Sequence, residues 1–140
     1  MSIAQLDSLE PFKGNGPASD SQISDFEAQS GIKLPHEYLQ FLTRMNGGCG
    51  FVGSHYLDMY PVDKLIEYNR GYGIAEFAPE LFLFGSDGGG EAFAFDRRHA
   101  EWPVVMVPFI PLDVRESVAI APSFAVFFET LAHRDLTDPA

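Results

Sequence analysis

Cysteine is almost missing from this chain: Cys49 stands alone. No intramolecular disulfide can form, the fold must be held by packing, and the usage suits a reducing compartment, so a cytoplasmic location is expected. Basic residues are scarce too, with 9 lysines and arginines against 20 aspartates and glutamates and a formal net charge of −11. A surface of that sign repels phosphate backbones and anionic headgroups, which argues against nucleic-acid and membrane partners. It favours encounter with basic proteins, because complementary charge raises association rates. No apolar run approaches the ~20 residues that a membrane helix needs. The opening stretch from Met1 to Glu10 has neither the basic start nor the apolar run of a secretory signal.

Aromatic and apolar residues are plentiful. Thirteen phenylalanines and a hydrophobic content of 46% in 140 residues are enough for one domain with a sizeable core. The most telling stretch is Leu81-Phe82-Leu83-Phe84-Gly85-Ser86-Asp87-Gly88-Gly89-Gly90-Glu91-Ala92-Phe93-Ala94-Phe95-Asp96. Two aromatic runs flank a turn of small residues, which reads as a β-hairpin, and the Phe-Ala-Phe alternation has the period of a half-buried strand.

Around it the chain divides into an irregular arm over 1–18, a domain over 19–133 and a tail over 134–140. Within the arm, Leu6, Leu9 and Phe12 are candidates to dock on the core. Ser19 followed by Gln22 has the form of a capping box, Ile23 and Phe26 share a helical face, and Gly31 suits the end of that helix. Leu34-Pro35 opens a second helix, because proline costs nothing at a first helical position, and Tyr38, Phe41, Leu42 and Met45 form its apolar stripe. Asn46-Gly47-Gly48 ends it. A short strand follows over Tyr56–Tyr60, then a helix over Val62–Tyr72 carrying Leu65, Ile66 and Asn69. Trp102–Val107 reads as a strand whose Pro103 suits a sheet edge or a first strand residue. Val118–Ala121 reads as a last strand, and Ser123 as the cap of a helix bearing Phe124, Phe127, Phe128 and Leu131. The expectation is a single α+β domain with about four helices.

The ordered set Ile23-x-x-Phe26-Glu27, Gly31-Ile32-x-Leu34-Pro35-x-x-Tyr38-x-x-Phe41-Leu42, Asn46-Gly47-Gly48 and Gly85-Ser86-Asp87-Gly88-Gly89-Gly90-Glu91 leading to Phe95-Asp96 resembles the SUKH superfamily. That superfamily includes a fungal cell-wall assembly regulator and many bacterial proteins regarded as neutralising polymorphic toxins. The resemblance spans Ser19 to Leu131. It implies a central, mainly antiparallel sheet packed by helices, no catalytic residues and a protein partner. Leu34, Pro35, Asn46, Gly47, Gly48, Gly88, Gly89 and Gly90 are then residues of the structural motif.

Between Arg70 and Arg97 there is no basic residue, yet Glu76, Glu80, Asp87, Glu91 and Asp96 fall there. If Glu76, Glu80, Asp87 and Glu91 project together they can meet a cationic partner, with Phe51 and Tyr68 as aromatic anchors. The competing reading gives Asp87 to the turn's own N–H groups and leaves Glu76 and Glu80 on a solvated face. Tyr68, Asn69, Arg70 and Tyr72 are candidates for exposure. The glycine run lacks the Gly-Lys-Ser/Thr ending of a phosphate loop and the alternating ligands of a calcium loop. Cys49 and His55 are the nearest thing to a nucleophile and base, with no third group to orient them. His36, His99 and His133 show no metal-ligand spacing. The expectation is therefore a non-enzymatic binding protein without cofactor that neutralises a toxin, with a basic toxin domain as the candidate partner, by stoichiometric occlusion. A regulatory scaffold is the alternative, and a small hydrolase using Cys49 ranks third.

Overall fold

The computed structural model describes residues 12–133. The tail 134–140 and residues 1–11 of the arm, with Leu6 and Leu9, lie outside the described residues. The elements are β1 (Phe12–Gly14), α1 (Asp20–Ser30), α2 (His36–Arg44), β2 (Gly48–Val52), β3 (His55–Met59), α3 (Leu65–Gly71), α4 (Ile74–Phe77), β4 (Leu81–Ser86), β5 (Glu91–Asp96), β6 (Val104–Pro108), β7 (Val118–Ala121) and α5 (Phe124–His133). Short 3₁₀ turns at Val62–Lys64 and Val114–Glu116 precede α3 and β7. All seven strands belong to one sheet whose spatial order repeats the chain order, and every neighbouring pair is antiparallel. The α+β single domain expected from the sequence is what forms.

Local chemistry explains where the helices begin and end. The Ser19 side chain accepts from the Gln22 N–H at 3.1 Å while the Gln22 side chain accepts from the Ser19 N–H at 2.9 Å, so two otherwise orphaned donors at the start of α1 are satisfied. Gly31 closes α1 in the left-handed region at φ 69°, which a side chain would resist. Pro35 stands one position ahead of α2 with an extended ψ of 146°, so it fixes the entry and the helix starts at His36.

The hairpin expected at Leu81–Asp96 is β4 and β5, but both of its faces are covered: β4 is buried throughout and β5 from Ala92 onward. The half-buried expectation fails because side chains of both faces are shut away from solvent, with aromatic residues of the helices packed on the Phe84–Phe95 face. A bulge between Leu83 and Gly85 in the β4–β5 register inserts Phe84 as an extra residue, and its ring joins Phe82, Phe93 and Phe95 on one face. There Phe84 lies 4.5 Å from Phe95 and 5.4 Å from Phe127, while Tyr38 of α2 sits 5.2 Å from Phe95 and 5.0 Å from Phe124. Each such aromatic pair adds roughly 0.5–1.5 kcal/mol beyond the area it buries, so this cluster is the energetic centre of the fold. On the other face Leu83, Ala92, Ala94 and Val107 are equally buried.

Strand β3 pairs with β4 only at Asp58–Ser86 and Met59–Gly85, which leaves the start of β4 without a strand on the side away from β5. Helix α3 fills the gap through Asn69. Its side-chain oxygen accepts from the Leu83 N–H at 2.8 Å, and its amide donates to the carbonyls of Leu83 at 2.9 Å and Leu65 at 2.8 Å. Of the residues left open between exposure and burial, Asn69 is the buried one, because its amide imitates a peptide group of the missing strand. Strands β1 and β2 and the four-residue α4 are additions to the elements read from sequence. Pro103 precedes β6, which lies inside the sheet between β5 and β7, so its place is at the strand's entry and not at an edge.

Candidate functional site

Two hairpin tips converge at one end of the sheet. The first joins β2 to β3 through Gly53-Ser54, with Gly53 at φ 62°. There is no room for a side chain at Gly53, since a Cβ would stand 2.8 Å from the Ala132 carbonyl oxygen of α5. Phe51 and Tyr56 are direct cross-strand partners beside this turn, their rings 5.3 Å apart at 82°, and they remain 50% and 36% exposed. Large aromatic rings left open together on a sheet are unspent binding area.

The second tip is the Asp87–Gly90 turn. Asp87 Oδ1 accepts from the Gly89 N–H at 2.8 Å and the Glu91 N–H at 3.2 Å, and Ser86 Oγ accepts from the Gly88 N–H at 3.2 Å. Gly88 sits at φ 80°, where a Cβ would come within 2.6 Å of the Tyr56 ring, so the turn is laid directly against the aromatic pair. Gly89 and Gly90 have open space around them, with Asp87 Oδ1 the nearest atom to a Cβ at Gly89 at 3.5 Å.

Three carboxylates stand near this end of the sheet: Asp58 on the rings' own face, and Asp87 and Glu91 at the cleft beside Tyr56, with Glu91 on the opposite face by register. Partial burial pushes the Asp58 carboxyl up; burial, and then the charge of Asp87, push the Glu91 carboxyl up. Asp58, Asp87 and Glu91 have no ion-pair partner among the described residues. A cleft of about 350 Å³ between the tips is lined by His55, Tyr56, Asp87, Glu91, Phe93 and Met106. Tyr56 also makes a side-chain hydrogen bond with Cys49, which raises its phenol.

The other sequence candidates lie elsewhere. Glu76 is on α4, and Glu80 precedes β4, where its carbonyl accepts from the Arg97 N–H at 2.8 Å. These stand at the opposite end of the β4–β5 hairpin from Asp87 and Glu91, six strand residues or ~20 Å away. Asp96, at that same far end, is already held by Arg98 through contacts of 2.9 and 2.7 Å. Tyr68 is on α3 with its ring 4.7 Å from that of Tyr60. The structure therefore sets Asp87 and Glu91 at the cleft beside Tyr56, the ring partner of Phe51, and puts Glu76 and Glu80 at the far end; Tyr68 packs on Tyr60, which itself lies beside Asp58 and Ser86. Cys49 and His55 lie three residues apart along the β2–β3 ladder and on opposite faces of it. Among the described residues no three His, Cys, Asp or Glu side chains stand together as metal ligands would.

Tyr56 and Asp58 are the face's residues that sequence reasoning passed over. The signal was present, since Gly-Ser between alternating aromatic residues is a hairpin pattern.

The corner behind this face is built from the sequence motif itself. Leu34 is buried, the buried Asn46 accepts from the Val62 N–H at 2.7 Å through Oδ1, and Gly47 and Gly48 pass so close to Met59 and Lys13 that a Cβ on either would stand within 2.5 Å of a carbonyl oxygen. With this corner, the antiparallel meander and the glycine turn all in place, comparison with known families is decisive: the profile of the SMI1 / KNR4 family (SUKH-1) matches residues 17–130. The chain belongs to this family. As a SUKH-1 member it is similar to "Uncharacterized protein YnaB" of Bacillus subtilis (strain 168), 25% identical over 122 residues that cover 86% of this chain and 80% of that protein.

Proposed function

We propose that this SUKH-1 domain is a non-enzymatic protein-binding module that neutralises a cognate toxin by occluding it one to one. The observation that carries this reading is the open Phe51–Tyr56 pair with Asp58 on its face and Asp87 and Glu91 at the adjoining cleft, carboxylates with no cation of their own among the described residues. Aromatic rings supply desolvated contact area, and the carboxylates supply steering and selectivity toward a basic surface. The cost already visible in the raised Asp58 and Glu91 groups would be relieved by lysines or arginines arriving from the partner. Nothing in this mode of action requires a bond to be made or broken by the domain.

The test is a pull-down from the source cell followed by titration of the captured partner, with association followed by stopped-flow fluorescence at low and high salt. Phe51→Ala is expected to weaken binding by about tenfold or more through faster dissociation, and Glu91→Lys to slow association with an effect that shrinks as salt rises. Unaltered rates for both variants would remove this face from the interaction. A partner that stays fully active in the complex would favour the regulatory-scaffold role.

A further inference from the structure

A second feature lies at the other end of the β4–β5 hairpin and is independent of the face just described. Three hollows run in series there. The middle one, about 470 Å³, is walled by Ile32, Ile66, Ile74 and Leu81 and carries the guanidinium groups of Arg70 and Arg97. One end, sharing Gln29 and Ile66 with the middle, brings in Asp25 and Asp63. The other end, about 410 Å³ and sharing Glu76, brings in Phe77 and Ile110.

The charges along this channel follow a pattern. Arg70 and Arg97 have no carboxylate partner among the described residues, although the chain carries many more acids than bases; Arg97 is held over the Trp102 ring at 5.7 Å. Asp25, Asp63 and Glu76 at the two ends are likewise without an ion pair among the described residues, whereas Asp113, which also lines one end, is already paired with Arg115 at 2.6 Å. The walls are apolar, and Phe77 and Ile110 are 57% and 93% exposed. A single small molecule would fill one hollow and leave the rest open; a chain segment can thread all three.

We propose that this channel docks a peptide segment of a partner protein, apolar along its length, acidic at its centre and basic at both ends. The central acid meets Arg70 and Arg97, the basic ends meet Asp25 and Asp63 on one side and Glu76 on the other, and apolar side chains cover Ile66, Ile74 and Phe77. Planar guanidinium groups suit a carboxylate especially well, since each can donate two parallel hydrogen bonds to it.

The probe is a labelled synthetic peptide, Lys-Lys-Leu-Leu-Asp-Leu-Phe-Lys-Lys, read by fluorescence anisotropy against the isomer Asp-Lys-Leu-Leu-Lys-Leu-Phe-Lys-Lys, which has the same composition and net charge. The first peptide is expected to bind at least about tenfold more tightly than the second. In Arg70→Glu/Arg97→Glu the protein becomes still more acidic, so unspecific attraction to a cationic peptide would rise; the channel instead predicts about a tenfold loss for the first peptide. Arg70→Gln, which leaves the Arg97–Trp102 contact in place, is expected to show a smaller loss of the same sign and serves if the double variant does not fold by circular dichroism. Equal binding of the two peptides, unchanged or tighter binding by the variants, or no binding of either peptide up to about 1 mM overturns the proposal.

Discussion

Single residues carry opposite signs of energy in this domain, and two of them can be told apart by one substitution each. Tyr38 is fully buried among phenylalanines, and its hydroxyl has no hydrogen-bond partner among the described residues, so burial drives its phenol well above the usual range. A buried unpaired hydroxyl costs about 1–3 kcal/mol, and Tyr38→Phe keeps the ring while removing that cost. The variant is expected to be more stable by about 1 kcal/mol in urea unfolding. The acids differ in the same way. Hydrogen bonds from Arg98 hold the Asp96 carboxyl below its ordinary value, so Asp96 stabilises the fold at neutral pH, and that contribution is lost as pH falls through the carboxylate range. Glu91 has its carboxyl raised by burial, so its charge opposes folding at neutral pH and the penalty lifts on acidification. Unfolding midpoints of Asp96→Asn and Glu91→Gln at pH 7 should therefore move in opposite directions, Asp96→Asn down and Glu91→Gln up by about 1–2 °C; on acidification the Glu91 difference should shrink first, and the Asp96 difference only below the ordinary aspartate range.

At the scale of elements, the α3–β4 junction depends on one side chain. Asn69→Ala strips the Leu83 N–H and carbonyl of their partner in a buried place, which predicts a loss of about 2–4 kcal/mol in urea unfolding. Asn69→Asp is expected to be no better, since a carboxylate can accept from Leu83 but cannot donate to its carbonyl. Nothing in the helical stripe Leu65, Ile66, Asn69 announced this, because periodicity reports which face is apolar and not which polar residue completes a neighbouring sheet. Where the chemistry was local, the sequence was readable: the Ser19–Gln22 box, the Gly31 stop and the glycine turn after β4 act within a few residues of themselves. Strand β2 escaped because its inward positions include Gly48 and Gly50, which give no hydrophobic alternation to detect, and Gly48 is glycine because a Cβ there would meet the Lys13 carbonyl of β1. The acids between Arg70 and Arg97 formed a block in sequence, but an antiparallel hairpin returns the block's two ends, Glu80 and Asp96, to one end of its strands and carries its middle, Asp87 and Glu91, to the other. Phe51 was legible as an open aromatic; that its cross-strand partner is Tyr56 required the register.

Across the whole molecule, the net charge of −11 acts on folding and on association with opposite consequences. Self-repulsion works against the compact state, whereas the same field draws in a cationic partner. Raising salt from about 50 mM to about 500 mM is expected to raise the thermal midpoint of the free domain while slowing association at the Phe51–Tyr56 face, a pair of trends that calorimetry and stopped-flow mixing can check together. If the midpoint falls with salt, the domain's excess charge is not a burden on its stability.

The strand order that simply repeats the chain order carries one more implication. Each rung of the ladder can close on the one synthesised just before it, so a nascent chain emerging from the ribosome can zip up its sheet progressively, without waiting for a distant segment to return. The exception is α5, synthesised after every strand, which brings Phe124, Phe127 and Phe128 down on Tyr38, Phe41 and Phe84. Assembly is thus gradual until its last helix, and a chain stopped before Ser123 would hold a finished ladder with its phenylalanines still unroofed.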